Sequence, residues 1–315
     1  MGRWHARACR RVAVEIAAVV DPDEAAATDL ASRYGRAIVA PAIGQLPQLD
    51  IDLAHVCSPA ETHEAETIAA LERGWAVLVE KPAAPNSRIC ERLIRFASDR
   101  GRWIEPVHQT VFQRGIACVQ RWLRSSGVPR LIDFRACSAG AEREWEGADR
   151  IAADILPHPL SLLDALMPGS LDRFDPQCHR PSAGEWIVSG MVGPTAVRLL
   201  ISMHGRPPRH DITLVTDSGT ITADLFHGFA WRESGRASRV AKISRPFTSS
   251  AVVALKAGAN LVRRAIDREP AYPGLNALVA RCYRAVADPA LRPLGDRHLL
   301  AVTRARDRIL RAADA

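Results

Sequence analysis

The chain has 315 residues, 47% of them hydrophobic and 24% charged, and this ordinary globular composition excludes a disordered or fibrous protein. The net charge of +7 comes from basic residues spread along the chain without a run of like charge, so no nucleic-acid partner is expected. Seven widely spaced cysteines without a C-x-x-C pair indicate reduced thiols and a cytoplasmic protein. No apolar stretch is long enough to cross a membrane, so we expect no membrane partner either.

Short apolar segments alternate with amphipathic segments over the first hundred residues. The predicted strands are residues 14–20, 37–39, 53–57, 76–79 and 103–107. The predicted helices are residues 23–34, 61–73 and 87–100. Because the strands are apolar on both faces, the alternation predicts an α/β fold with a doubly wound, Rossmann-like parallel sheet.

The pattern changes after about residue 108. Helices are predicted at residues 111–125, 159–166, 250–267, 275–287 and 297–312, and strands at residues 131–137, 186–192, 196–204, 211–216 and 219–225. Asp217-Ser218 is typical of a tight hairpin turn between the last two strands. We therefore expect a first domain over residues 1–107 and an α+β domain with a mainly antiparallel sheet over residues 108–315.

Lysine is scarce in this chain, which makes its position informative. Lys81, Lys242 and Lys256 are the only lysines in the sequence, and Lys81 stands beside Glu80 at the end of the predicted strand 76–79. The planar guanidinium of arginine cannot replace a compact lysine ammonium at the end of a buried strand. We therefore interpret Lys81 as a functional residue. The alternative is a surface lysine that is paired with Glu80.

Asp21 ends the first predicted strand, where a dinucleotide-binding fold carries an acidic residue at the end of its second strand. A carboxylate there hydrogen-bonds the adenosine ribose hydroxyls and repels a 2′-phosphate, which favours NAD over NADP. The alternative for the Asp21-Pro22 dipeptide alone is a residue that forms a turn.

Five segments occur in an order and spacing that resemble a known family. They are residues 1–6 (MGRWHA), 20–23 (VDPD), 58–63 (SPAETH), 69–74 (AALERG) and 80–82 (EKP). The set is similar to the glucose-fructose oxidoreductase, inositol dehydrogenase and MocA family, and the resemblance covers most of the first 170 residues. It implies an NAD(P)-dependent dehydrogenase with a dinucleotide-binding domain over residues 1–107 and a substrate and oligomerisation domain over residues 108–315. It also implies a homo-oligomer that forms through the sheet of the second domain. The cofactor site that it implies consists of Gly2, Asp21, Ser58, Pro59, His63, Glu80 and Lys81.

Gly2 resembles the last glycine of the family's G-x-G-x-x-G phosphate loop, without the first two glycines and the strand before them. Either the natural start lies upstream of Met1, which is the interpretation we favour, or the protein binds its nucleotide weakly or not at all. A second departure is Ala60, where the family commonly has asparagine near the nucleotide, whereas His63 is retained.

Asp154 and His158 resemble the family's D-x-x-x-H signature. The resemblance implies that His158 accepts the hydroxyl proton of the substrate and that Asp154 orients the imidazole. It further implies that Lys81 holds the substrate oxygen and the nicotinamide ribose. Pro157 and Pro159 leave a second interpretation open, in which a helix begins near Pro159 and His158 bonds to the backbone at its start.

His108 and Gln109 follow the last strand of the first domain, where the family crosses into the second. We interpret them as substrate contacts, or alternatively as hinge residues. No metal is expected. The predicted function is an oxidoreductase that transfers a hydride between NAD and a secondary alcohol or ketone of a sugar, polyol or related small molecule. The alternatives are an NAD-dependent elimination or hydrolysis enzyme of the same fold and a ligand-binding homologue without catalysis.

Overall fold

The computed structural model describes residues 1–35, 37–137, 147–235 and 238–314, and it divides the chain into two compact units. The first unit consists of Met1–Val107 and Leu275–Thr303, and the second of His108–Gly274 and Arg304–Ala315. The sequence interpretation assigned every residue after 107 to one domain, whereas Leu275–Thr303 packs with the first unit.

The first unit contains short strands and helices in alternation. Its described strands are β1 (Ala18–Val20), β2 (Ile38–Ala40), β3 (Leu53–Val56), β4 (Ala76–Val79) and β5 (Ile104–Pro106). Its helices are α1 (Gly2–Arg11), α2 (Glu24–Ala31), α3 (His63–Glu72), α4 (Ser87–Ser98) and α10 (Leu275–Ala287), and α11 (Gly295–Ala313) begins here and ends in the second unit. Asp23 and Asn86 start α2 and α4 because their side chains accept hydrogen bonds from the first free backbone N–H groups.

The strands of the first unit are all parallel to their neighbours but form two sheets, β1-β2 and β3-β4-β5. Within the described residues no strand joins β1 to β3, and Val20 in β1 is 37% exposed. Both sheets nevertheless contribute to one apolar core, with Ala40 of β2 and Val77 of β4 in the same cluster. The predicted parallel α/β arrangement is confirmed, as a sheet in two parts.

A buried ion pair attaches the C-terminal part of the first unit to β5. Glu105 is fully buried, and its Oε1 accepts hydrogen bonds from Arg292 Nε and from the Gly295 backbone N–H, both at 3.0 Å. Arg292 Nη2 also donates to the Ile104 carbonyl at 2.9 Å. Burial is the largest influence on the carboxyl group and raises the pKa of Glu105 despite the guanidinium.

The second unit is built on one sheet with helices. Its described strands are β6 (Leu131–Cys137), β7 (Gln177–Ser182), β8 (Glu185–Val192), β9 (Thr195–Ser202), β10 (Arg209–Thr216), β11 (Gly219–Asp224) and β12 (Phe229–Ser234). Its helices are α5 (Arg114–Ser126), α6 (Ala148–Ile155), α7 (Pro157–Leu166), α8 (Ser170–Arg173) and α9 (Arg239–Ile266), and Gln109–Phe112 form a short 3-10 helix.

The strand order of this sheet is β12-β11-β10-β6-β9-β8-β7. Neighbouring strands are antiparallel except β6 and β9, which are parallel. Asp217 and Ser218 form the predicted two-residue hairpin loop, with Thr216 opposite Gly219. The mainly antiparallel second sheet expected from the sequence is therefore confirmed.

One face of this sheet is apolar and the other carries ion pairs. Along β6, Ile132, Phe134 and Ala136 are buried in the core, and the residues between them point to the opposite face. On that face Asp133 pairs with Arg198 of β9 at 2.7 Å, and Arg135 pairs with Asp211 of β10 at 2.7 Å. We call this side the polar face of the sheet.

Helix α9 differs most from its sequence-based prediction. It begins at Arg239, where the side chain of Ser238 accepts a hydrogen bond from the Ala241 backbone N–H, instead of at residue 250. Pro246 lies inside the helix, a position that proline normally disfavours.

Candidate functional site

In the first unit, the residues that the resemblance implied follow the carboxyl ends of parallel strands. Asp21 follows β1, Ser58 lies two residues beyond β3, and Glu80 and Lys81 follow β4. In doubly wound sheets this edge is where ligands bind.

Asp21 takes part in a turn. Its Oδ1 accepts a hydrogen bond from the Asp23 backbone N–H at 2.9 Å, so the turn interpretation of the Asp21-Pro22 dipeptide is seen in the structure. That hydrogen bond uses one carboxylate oxygen and does not engage Oδ2. The turn role and a ribose-binding role are therefore compatible.

His63 joins the ends of β3 and β4. Its Nδ1 lies 2.8 Å from the Pro82 carbonyl oxygen and its Nε2 lies 2.9 Å from the Ser58 carbonyl oxygen. Both partners are backbone carbonyl oxygens, which accept hydrogen bonds from ring N–H groups. The Ser58 hydroxyl donates to Glu66 Oε2 at 2.6 Å. His63 is 1% exposed and thus acts as an internal brace for the segments that carry Ser58, Pro59 and Lys81.

A chain of hydrogen bonds leads to Glu80 through the first unit. His5 Nε2 lies 3.2 Å from Glu80 Oε1, and His5 Nδ1 lies 2.8 Å from His55 Nδ1. His55 Nε2 lies 3.1 Å from the Tyr283 hydroxyl. On its other oxygen, Glu80 Oε2 accepts the Lys81 backbone N–H at 3.2 Å. The carboxyl group before Lys81 is therefore held on both oxygens.

Burial shifts the pKa values of three groups in this region towards their neutral forms. Burial, followed by the neighbouring His5, lowers the pKa of His55 well below the usual value of histidine. Burial also raises the pKa of Cys9, whose Sγ lies 3.6 Å from the Tyr283 hydroxyl, and the pKa of Tyr283. We call His5, His55, Cys9 and Tyr283 the histidine network.

In the second unit, Asp154 lies near the C-terminus of α6 and His158 lies in the first turn of α7. Leu156, which connects the helices, has right-handed helical dihedral angles of φ −50° and ψ −37°. The path from Asp154 to His158 is therefore helical, and α7 begins at Pro157 instead of Pro159. Asp154 Oδ1 lies 3.8 Å from Arg306 Nη2, a charged neighbour that the sequence interpretation did not foresee.

His210 of β10 stands beside His158, with ring centroids 5.8 Å apart. Phe134 and Phe226 also contact its ring, at centroid distances of 5.2 Å and 5.6 Å. Burial lowers the pKa of His210 to about 4, so its ring is neutral at pH 7. In the part of the chain that the structure describes, its buried Nε2 has no hydrogen-bond partner.

Two further buried polar atoms belong to the 3-10 helix that packs against α7. Gln109 Oε1 and Thr110 Oγ1 have no hydrogen-bond partner among the described residues. His108 precedes this helix and is 2% exposed. An unpaired buried polar atom costs about 1–3 kcal/mol, so these atoms are suited to bind polar groups of a ligand.

Sequence reasoning missed His5, His55, Tyr283, Arg306 and His210. Each lies far in sequence from the residue that it contacts, and no spacing rule links them. Across the described ranges, no group of three or more His, Cys, Asp or Glu residues is arranged to hold a metal ion. None of the described helices is long and apolar enough to span a membrane.

Comparisons with known proteins agree with the resemblance seen in the motifs. A family model described as "Oxidoreductase family, NAD-binding Rossmann fold" matches residues 1–108. Inositol 2-dehydrogenase 3 of Saccharopolyspora erythraea is 34% identical over 104 residues, which are 32% of this chain and 31% of that protein. The chain thus spans about a third of the length of this curated relative.

Solved structures share the fold over nearly the whole chain. UDP-N-acetylglucosamine 3-dehydrogenase GnnA from Acidithiobacillus ferrooxidans is 18% identical, with a TM-score of 0.75 over 99% of this chain and 94% of that one. The WlbA dehydrogenase from Bordetella pertussis, solved with NADH and UDP-GlcNAcA, is 15% identical, with a TM-score of 0.67 over 96% of this chain and 88% of that one. At these identities the likeness concerns the fold alone.

Proposed function

We propose a function for the whole chain from the match of residues 1–108 to the oxidoreductase family model and from the resemblance to the glucose-fructose oxidoreductase, inositol dehydrogenase and MocA family. The protein is a dehydrogenase or reductase that transfers a hydride between NAD(H) and a secondary alcohol or ketone of a sugar, polyol or related small molecule. The observation that carries the proposal is the Glu80-Lys81-Pro82 segment at the end of β4, braced by His63 and by the histidine network.

The residues at the strand ends fit a nicotinamide dinucleotide. Gly2 opens α1, and a Cβ added there would meet only Leu30 Cδ2, at 3.9 Å, so the N-terminus of the helix is accessible to a phosphate. Asp21 follows β1, and the turn hydrogen bond to its Oδ1 leaves the charge available to repel a 2′-phosphate, which supports NAD over NADP. When bound, the dinucleotide supplies the ring that exchanges the hydride.

The proposed catalytic residues are Lys81, Asp154 and His158. Lys81 holds the substrate oxygen with its ammonium group, and His158 accepts the hydroxyl proton. Asp154 lies four residues before His158 on a helical path, so it is suited to orient the imidazole. The Arg306 guanidinium, 3.8 Å from Asp154 Oδ1, helps to hold this carboxylate. These roles are proposals that the local geometry of each unit supports.

A hydroxyl-rich substrate suits the unpaired atoms of the second unit. Gln109 Oε1 can accept a hydrogen bond from a substrate hydroxyl. Thr110 Oγ1 and neutral His210 Nε2 offer further hydrogen-bonding positions near α7. We therefore propose Gln109, with Thr110 and His210, as substrate contacts, and His108 as a residue that positions the 3-10 helix.

A ligand-binding protein without catalysis is the second candidate. It is favoured by the separation of β1-β2 from β3-β4-β5, since the described residues place no strand between them to carry a complete phosphate-binding turn. Calorimetric titration with NADH and NADPH, together with a screen of polyols and sugars for NADH formation at 340 nm, tests both candidates. Tight NADH binding with no turnover on any member of the panel would favour the second candidate, and no binding of either nucleotide would contradict the first.

A further inference from the structure

Helix α9 presents an apolar surface that no described part of the chain covers. None of its residues is buried. Seven large apolar side chains on it are 60–76% exposed: Val240, Ile243, Phe247, Leu255, Leu261, Val262 and Ile266. At about 100° per residue these seven fall within an arc of about 140°. We call this side of the helix the apolar arc.

The apolar arc is continuous and carries no charge. It extends over the 28 residues of α9, a length of about 42 Å. The small residues that complete it are Ser244, Thr248, Ala251, Ala254, Gly258 and Ala265. Pro246 lies outside the arc and does not interrupt it. Contiguous apolar patches of more than a few hundred Å² are rare on monomeric proteins, and they mark sites that bind a protein or a membrane.

The opposite side of α9 faces the protein's own sheet and is polar. Ser249 hydrogen-bonds the Glu233 carboxylate of β12, and Asn260 Nδ2 donates to the His227 carbonyl at 2.9 Å. The helix is thus attached by polar contacts and directs the apolar arc away from β12. An ordinary surface helix has the reverse arrangement, because its apolar side packs on the core.

All the charged residues of α9 are basic, and they lie outside the apolar arc. They are Arg239, Lys242, Arg245, Lys256, Arg263 and Arg264. Arg239 lies about 40° from one edge of the arc, and Arg245 and Arg263 lie about 60° from the other. These three residues are exposed. From such flanking positions the long side chains of arginine reach the polar boundary of an apolar phase.

We propose that α9 binds the surface of an anionic lipid bilayer, with the apolar arc towards the acyl chains and the flanking arginines among the headgroups. A helix of this kind lies in the plane of the surface with its apolar side about 5–10 Å deep, so the length that a membrane span needs does not apply to it. Anionic headgroups complement the six basic residues, since α9 has no acidic residue to repel them. This binding does not depend on the proposed dehydrogenase activity.

The side chains of the apolar arc favour a fluid partner over a protein surface. The centres of protein interfaces are enriched in tryptophan, tyrosine and arginine and have close shape complementarity. The arc contains none of these three residue types, and Phe247 is its one aromatic residue. Its other large side chains are valine, isoleucine and leucine, which transfer favourably into acyl chains without a fixed register. An anionic bilayer therefore complements both the arc and its basic flanks.

Co-sedimentation of the full chain with lipid vesicles tests the proposal. The vesicles contain phosphatidylcholine with about one-third phosphatidylserine, which supplies the negative surface charge. We expect binding that is weaker to vesicles of phosphatidylcholine alone and weaker at high salt, because the attraction is then absent or screened. Equal binding to both kinds of vesicle, or binding to neither, would overturn the proposal.

Two variants separate the apolar contribution from the charged one. Val262→Glu places a charge in the apolar arc and should raise the dissociation constant for the phosphatidylserine vesicles at least about 10-fold. Arg263→Gln should raise it about fivefold. The matched controls are Val128→Glu and Arg311→Gln, which make the same changes at exposed positions outside α9 and should leave the constant nearly unchanged. Because Val262 is 60% exposed, its variant should keep the thermal midpoint of the wild type.

Two further measurements identify the surface that binds. Amide hydrogen exchange in residues 239–266 should slow when vesicles are added, since α9 is exposed in the free chain. Unchanged exchange there, or a Val262→Glu variant that binds vesicles as tightly as the wild type, would overturn the proposal. Sedimentation velocity without vesicles examines the other occupant of the arc. Self-association of the free chain that Val262→Glu abolishes would overturn the proposal in favour of a second copy.

Discussion

The Nδ1 atoms of His5 and His55 lie 2.8 Å apart, so one ring donates its Nδ1 proton to the other. The tautomer of His5 that donates from Nε2 to Glu80 Oε1 accepts at Nδ1. His55 then donates a hydrogen bond from Nδ1 and accepts one from the Tyr283 hydroxyl at Nε2. In this arrangement Tyr283, His55 and His5 each donate in the direction of Glu80, and the three contacts are satisfied together.

The histidine network should make stability depend on pH. The pKa of His55 is lowered well below its usual value in the folded protein, so between that pKa and about 6.5 the unfolded chain binds more protons. The contribution of His55 to the free energy of unfolding is fully present above about pH 6.5 and decreases as the pH falls. The slope from this one group approaches about 1.4 kcal/mol per pH unit. Urea unfolding at a series of pH values measures it.

His55→Gln removes the titrating group and should flatten this dependence. The control is His179→Gln, which changes an exposed histidine and should leave the slope as in the wild type. Equal slopes for wild type and His55→Gln between pH 7 and pH 5 would show that another group is responsible, with His210 as the first to examine because its pKa is also lowered by burial.

Asp21→Asn should reduce the preference for NAD. Asparagine keeps the oxygen that caps the Asp23 backbone N–H, so the turn survives and only the charge is lost. Removing a charge near a 2′-phosphate is worth about 1 kcal/mol, which is about a fivefold gain in NADPH affinity. Calorimetric titration of both nucleotides measures the ratio, and an unchanged ratio would separate Asp21 from cofactor selection.

Lys81→Arg and His158→Asn should each lower turnover by on the order of 10²–10⁴ with nucleotide affinity nearly unchanged. Arginine keeps the charge but is larger and planar, and asparagine cannot accept and release the proton. Lys256→Arg is the matched control because it makes the same replacement on exposed α9. Near-normal turnover of the His158→Asn variant would falsify its assignment as the base.

Arg292→Met should destabilise the protein by about 3–5 kcal/mol at pH 7, because it leaves the Glu105 carboxylate buried without its charged partner. The deficit should shrink as the pH falls, since a protonated Glu105 tolerates burial. Adding Glu105→Gln should recover part of the loss. Urea unfolding of the single and double variants provides the comparison, and a loss below about 1 kcal/mol would mean that water reaches the carboxylate.

The sequence predicted those parts of the fold that local patterns define. β4, β6 and α10 have the bounds expected, because continuous apolar runs and helical periodicity determine them. The early start of α9 was missed because Pro246 and basic residues dominate its first turns. The split of the first sheet and the return of Leu275–Thr303 depend on distant packing, which periodicity does not report.

The same distinction holds for the candidate site. Lys81, Asp21 and His63 were identified because they belong to short motifs at strand ends. His5 and Tyr283 meet at His55 although 278 residues separate them along the chain, and neither belongs to a pattern that marks chemistry. Such contacts follow from tertiary structure alone.

The return of Leu275–Thr303 to the first unit has a consequence for synthesis. Residues 1–107 leave the ribosome long before Tyr283 and Arg292. Glu105 of β5 therefore lacks its Arg292 partner until the second unit has been synthesised. The earliest segment of the chain is thus completed among the last, and non-local closure of this kind is slow. A nascent chain that stalls before residue 275 would expose an unfinished core to chaperones and proteases.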